Sequence, residues 1–343
     1  MNTTAVVLQQ LAVHQGGYAA QGGQLKISEN THSLADEWLQ EALLSFCLKP
    51  FREEEQYGWS STEAPLAQVV QDYFSQQIDF AASAQSLARH YHLVSQTANL
   101  KNGEILVLAL SNLAFGDQTC AALGVFHSSQ KEPFVRVHHN VGAVELEMTE
   151  GIDLRKPEKG MLFLDLPGGE SPLVLVQETG LRKEEGSAWK NAFGQLQALP
   201  NSYHQTRETL DMCKLFIDKE VGEHFDTTRA EQGDMKLRSM EYFRHHDRFD
   251  LAEFGKEVLH HSELIDTFAQ YKQQYEVARQ VNVEEAFDIH PTAVQQQQKF
   301  FKSILKLDKN FHVYVHGRRD MIEKGYDEAK GKHFYKLYFD AEN

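Results

Sequence analysis

The spacing of apolar positions changes period along this chain, from strand-like to helical and back, and each change predicts an element. Thr4 to His14 reads as a strand, followed by turn chemistry in the Gly16-Gly17 and Gly22-Gly23 pairs. A helical period follows: Ser33-x-x-Asp36 has the form of a capping box, Leu34, Ala35, Trp38, Leu39, Ala42, Leu43 and Phe46 make an apolar stripe, and Pro50 closes the helix. Two more helices are expected around Pro65 to Phe74 and Ala84 to His92.

From Asn102 to Gln177 the pattern turns to strands, at Ile105–Leu110, Cys120–Phe126, Phe134–Val137, Val144–Met148, Met161–Leu166 and Leu173–Val176. Their short spacings favour an antiparallel meander, because a parallel crossover needs about a dozen residues or more. Val144, Leu146 and Met148 alternate with Glu145 and Glu147, which implies one wet face and helices covering the other.

After Gly186 the pattern is mostly helical. Tyr203, Thr206, Leu210, Cys213, Ile217 and Val221 trace one face of a helix running from near Asn201 to Gly222. Asp250-x-x-Glu253 and Ser262 mark two further starts, the second with a Leu264, Phe268, Tyr271, Tyr275 stripe. The last stretch returns to alternation, with Phe311, Val313 and Val315 and then Tyr335, Leu337 and Phe339 expected as two strands of one small sheet. The reading is an α+β protein: an antiparallel sheet packed with helices over 1–180, then a mainly helical part over 181–343 ending in a β-hairpin or small sheet.

A length of 343 residues agrees with two domains at about 150 residues each. With 41% hydrophobic and 24% charged residues and only 8 prolines, disordered and collagen-like classes are excluded. Cys47, Cys120 and Cys213 are odd in number, widely spaced and set in apolar stretches, so they read as buried thiols in a reducing compartment. Met1 to Val13 lacks the basic and apolar blocks of a secretion signal, and no run approaches the ~18 apolar residues of a membrane span. The expected home is the cytoplasm, with no membrane partner.

No Walker loop, Rossmann glycine fingerprint, zincin helix, nucleophile elbow or kinase signature is present. The 17 histidines include the pairs His138-His139, His245-His246 and His260-His261, but adjacent residues of a strand point to opposite faces and no Cys or carboxylate stands at ligand spacing. Glu145/Glu147 and Glu184-Glu185 read as solvated carboxylates, there being no tight Asp...Glu-x-Lys arrangement of a metal-dependent nuclease. The chain is read as non-catalytic, with no cofactor and no metal.

Charge changes the picture most. The net charge is -15, yet Lys299, Lys302, Lys306, Lys309, Arg318 and Arg319 face only Asp308 within Lys299–Arg319, a local net of +5. Over Lys299–Asn343 the net is +3, leaving -18 on the rest. Basic side chains interleaved with Phe300, Phe301, Phe311 and Tyr314 suit a phosphate backbone, while aromatics alternating in strands are expected to fill a core rather than stack on bases.

Phe301-Lys-Ser-Ile-Leu-Lys-Leu-Asp-Lys-Asn-Phe-His-Val-Tyr-Val-His-Gly317, then Ile322-Glu-Lys-Gly325 and Phe334-Tyr-Lys-Leu-Tyr-Phe339, resemble the C-terminus of the bacterial nucleoid-associated family often called NdpA or YejK-like. Ala188-Trp-Lys-Asn-Ala-Phe193 and Asn201-Ser-Tyr-His-Gln-Thr206 are similar to its tryptophan segment and the helix after it. The resemblance implies a cytosolic bacterial protein found with the nucleoid, associating with double-stranded DNA and with a topoisomerase-type partner; it brings no active site. At Ala192-Phe193-Gly194 the chain departs from the family's acidic residue and Phe-Leu, so Trp189 and Phe193 read as a helix-to-core anchor.

Two functional expectations result, beside a metal-dependent nuclease built from scattered carboxylates and histidines, which no motif supports. In one, the Lys299–Arg319 face, helped by Lys332 and Lys336, touches DNA backbone with little sequence preference. In the other, the acidic body is an adaptor for a basic nucleoid protein. Nothing in the pattern sets an oligomeric state, and a homo-oligomer stays open.

Overall fold

The computed structural model describes residues 5–98, 100–140, 142–155, 157–178, 187–279, 281–298, 301, 303–306, 311–315 and 321–341. They fall into two compact units divided between Leu199 and Pro200.

In the first unit the strands are β1 (Val7–Gly16), β2 (Gln56–Trp59), β3 (Gly103–Phe115), β4 (Gln118–Ser128), β5 (Glu132–Asn140), β6 (Ala143–Gly151), β7 (Lys159–Asp165), β8 (Leu173–Glu178) and β9 (Leu196–Ala198). Seven of them form one sheet in the order β1-β3-β4-β7-β8-β2-β9, every pairing antiparallel. The helices are α1 (Glu37–Leu48), α2 (Pro65–Phe74) and α3 (Phe80–Ala98).

Both faces of this sheet are buried, which corrects the expectation of one wet face. Ile105, Val107 and Ala109 of β3 point into a core shared with Leu66 and Val70 of α2 and Leu87 and Tyr91 of α3. Leu106, Leu108 and Leu110 point the other way, against Leu43, Phe46, Cys47 and Leu48 of α1. An unbroken apolar run, rather than alternation, is what two-sided burial demands of a strand.

Three further corrections concern this unit. β5 and β6 are outside the meander: they pair with each other as a separate two-stranded hairpin whose residues are almost all exposed. The alternation there is real, but within the described chain nothing covers its apolar side. In α1 the N-cap is Asp36, whose carboxylate accepts the Leu39 N–H at 3.1 Å, so Ser33 lies before the helix. Trp38, expected in the stripe, is 76% exposed. At 100° per residue it sits far round the helix from Leu43, which anchors the buried face.

The Trp189 segment, placed in the second part by a boundary at 180/181, packs in the first unit. A π-helical turn, Trp189–Phe193, buries both rings, and β9 then joins the sheet edge beside β2.

The second unit opens with α4 (Ser202–Leu215), capped by Asn201, whose side chain accepts the His204 N–H at 2.9 Å. A π turn at Phe216–Glu220 carries the helix on into α5 (Val221–His224), and the face from Tyr203 to Val221 is buried as its spacing predicts. Next comes α6 (Arg229–His245), started by a full capping box between Thr228 and Glu231. β10 (Arg248–Asp250) leads into α7 (Leu251–Phe254), whose N-cap is Asp250, and a π turn at Gly255–Leu259 precedes α8 (Ser262–Arg279). β11 (Ala286–Asp288) pairs with β10, and α9 (Pro291–Gln297) follows. Leu210, Phe216, Phe243, Phe254 and Phe268 lie in the core they enclose.

At the C-terminus, β12 (Ser303–Lys306) pairs with β13 (His312–Val315), and β14 (Ile322–Asp327) with β15 (Lys332–Leu337). The strands at Phe311–Val315 and Tyr335–Phe339 therefore do not share a sheet. Each finds a neighbour in sequence, the pairing with the shorter loop to close.

Candidate nucleic-acid interface

Of the eight basic residues expected to meet DNA, Lys299, Lys302, Lys309, Arg318 and Arg319 lie outside the described residues. The backbone of Lys306 is in β12, opposite His312. Lys332 and Lys336 stand on β15, and the register fixes their surroundings: Lys336 is opposite Glu323 and Lys332 opposite Asp327. Residues four apart on a strand share a face, so the two lysines point the same way, each with a carboxylate beside it.

Lys336 Nζ lies 3.8 Å from Glu323 Oε2 and 5.1 Å from the centroid of the Tyr338 ring. The Tyr338 hydroxyl, and behind it Glu323, hold the ammonium charged to higher pH than an ordinary lysine. Tyr338 also donates to Glu323 at 2.7 Å. The Lys336–Glu323 rung balances in charge, whereas Asp327 is also paired with Lys330, Nζ to Oδ2 at 3.4 Å, so the rung at Lys332 stays net positive.

The aromatics divide. Phe301 is buried in the second unit's core, in line with a core role, whereas Phe311 is 63% exposed. Phe334, Tyr338 and Phe339, none singled out as a contact from sequence, are also exposed, on or just beyond β15. Their alternation looks like that of a core strand, and only the missing cover distinguishes them.

A second exposed surface is the β5–β6 hairpin. Cross-strand pairs Val135/Met148 and Val137/Leu146, with Val144 at the next rung, put five exposed apolar side chains on one face. The other face carries Phe134/Thr149, Arg136/Glu147 and His138/Glu145, with His138 Nε2 at 2.9 Å from Glu147 Oε2. Glu145 and Glu147 are thus solvated, and His138 and His139 point to opposite faces.

An open groove of about 540 Å³ lies between the β3–β4 and β7–β8 ends, lined by Ser111, Asn112, Thr119, Cys120 and Asp165 among others. Burial, and then the Asp165 carboxylate, push the Cys120 thiol up to about 11, so it stays protonated and is a poor nucleophile. No basic side chain lines the groove, and the Asp165 carboxylate in its wall disfavours an anion. One group among the described residues has donors close enough for a metal ion: His246, Glu253 and Glu257.

Among the described residues no helix is long and apolar enough to cross a membrane. The architecture is that of a two-unit α+β protein. The sequence pattern of the family described as "Nucleoid-associated protein YejK" matches residues 7–333, and the chain belongs to that family of nucleoid-associated proteins. A search of curated proteins finds no match.

Proposed function

We propose that this nucleoid-associated protein works without catalysis, holding the DNA backbone through its C-terminal basic segment. The observation that carries this reading is the charge segregation: +5 over Lys299–Arg319 in a chain of net charge -15. Lysine and arginine pair with phosphates and release counterions, which gives affinity with little sequence preference. Lys336 has a smaller part, since Glu323 already pairs with it, while the Asp327 opposite Lys332 is shared with Lys330.

Affinity for duplex DNA measured against salt concentration tests the reading. A log–log plot of steep negative slope, made shallower by Lys302→Gln with Lys306→Gln and Arg318→Gln with Arg319→Gln, supports it; each lost phosphate contact removes about 0.9 from the slope. A flat response, or no binding at low salt, overturns it.

A second reading, an acidic adaptor for a basic nucleoid protein such as a topoisomerase, is favoured by the β5–β6 hairpin. Its uncovered apolar face ends at Glu150 and is backed by a face that carries Glu132, Glu145 and Glu147 against Arg136, which suits a partner with basic residues beside an apolar strip. Binding of a purified topoisomerase that persists after nuclease treatment and is lost in Leu146→Glu supports this. Binding that nuclease abolishes, or that Leu146→Glu leaves intact, rejects it.

A further inference from the structure

His246 ends α6 in extended conformation, so its side chain leaves the helix and lies along the preceding turn. Its Nδ1 is 3.0 Å from the Tyr242 carbonyl oxygen, and its ring stacks on the Tyr242 ring with centroids 4.1 Å apart and 18° between planes. With Nδ1–H donating to that carbonyl, the lone pair belongs to Nε2, the tautomer that a metal-bound imidazole adopts. Nε2 faces Glu257 on the π turn and Glu253 on α7, four residues earlier.

The distances leave room for an ion between the three groups. Nε2 is 3.6 Å from Glu257 Oε2, beyond hydrogen-bond range. Two ligands of a tetrahedral ion with bonds of ~2.1 Å stand ~3.4 Å apart. The three donor atoms all lie within 4.8 Å of one another, and Glu257 is about half-exposed, so a rotamer adjustment closes the set. Tyr242 orients the second carboxylate too: its hydroxyl accepts the Asp250 N–H at 3.2 Å and has its one proton within reach of Glu253 Oε2 at 3.3 Å and the Asp250 carbonyl oxygen at 3.4 Å. One residue thus aligns an imidazole through its carbonyl and a carboxylate through its hydroxyl. Such outer partners characterise ligand sets.

We propose that His246, Glu253 and Glu257 bind a divalent first-row metal ion of the zinc class, with water completing the coordination. One imidazole and two carboxylates neutralise a dication, and the mixed nitrogen and oxygen set suits Zn²⁺ better than Ca²⁺ or Mg²⁺. The sequence hid the site because its ligands come from a helix end and two short helical turns, at a spacing no zinc motif uses.

The test is calorimetric titration of the chelator-treated full chain with Zn²⁺, backed by absorption spectra with Co²⁺ in its place. Saturable binding by the native chain, with one equivalent lost or weakened at least tenfold in both His246→Ala and Glu257→Gln and retained in His138→Ala, supports the site. Circular dichroism shows whether each variant is folded. If His246→Ala does not fold, Glu253→Gln with Glu257→Gln decides in the same way. No Zn²⁺ binding at submillimolar concentration, or equal stoichiometry and affinity in the folded variants, overturns the proposal.

Discussion

Trp189 stacks on Phe193 with ring centroids 4.5 Å apart and 21° between planes, and the two residues span a π-helical turn rather than an α-helical one. Gly194 N–H closes that turn on the Trp189 carbonyl at 2.9 Å. The indole N–H donates to the Gly160 carbonyl at 3.3 Å, so a residue with no solvent exposure has its polar atom satisfied on β7.

The pair ties a segment distant in sequence to the centre of the sheet, so truncating it leaves a large cavity. Trp189→Ala is expected to destabilise the first unit by about 3–5 kcal/mol in denaturant unfolding, and Trp189→Phe by clearly less. Equal stability of Trp189→Ala and the native chain rules out the anchor role.

His127 gives the first unit a pH dependence. Burial, opposed by Glu158 and reinforced by the Lys159 charge, brings its imidazole down to about 4, while the unfolded chain titrates near ~6.5. Between these values the unfolded state binds a proton that the native state does not. Stability therefore falls as pH drops from about 6.5 to about 4, by about 3 kcal/mol, and His127's effect is constant outside that window. Unfolding curves at stepped pH check this, and His127→Phe, which keeps the stacking on Tyr91, should flatten the profile in that range.

Thr228 and Glu231 start α6 reciprocally: the Thr228 hydroxyl accepts the Glu231 N–H at 3.2 Å, and the Thr228 N–H donates to Glu231 Oε2 at 2.6 Å. Thr228→Ala should cost about 1 kcal/mol, and Thr228→Asp much less, in thermal unfolding.

The hairpin makes the opposite prediction. Leu146 is 72% exposed, so Leu146→Glu is expected to change stability by no more than about 0.5 kcal/mol. A larger loss would mean that its face is covered within the folded chain.

All three cysteines are free and buried, and burial raises the thiols of Cys47 and Cys213 as well as Cys120. An aromatic disulfide reagent at pH 8 should titrate none in the native protein and three in denaturant.

Much of the fold is legible in local pattern. The Ile105–Leu110 run, the Asn201 cap with its helix face, and the bounds of α2 are set by contacts within a few turns, which period and capping chemistry encode directly. α6 is hidden because two positions of its buried face are polar, Gln232 and Ser239, so Met235, Tyr242 and Phe243 form no unbroken apolar stripe. The basic segment is legible as charge, whereas the carboxylate opposite each of Lys332 and Lys336 depends on the register of β14 against β15.

By itself the sequence determined the kinds of element, the apolar faces and the electrical asymmetry, because each is a property of neighbours along the chain. Tertiary structure alone decided that among the described residues the Val144–Met148 face stays uncovered while the β3 run is buried twice, and that His246 meets Glu253 and Glu257. An apolar stripe has the same spacing whether or not something packs on it, and ligands on separate turns converge only when the turns are folded against each other.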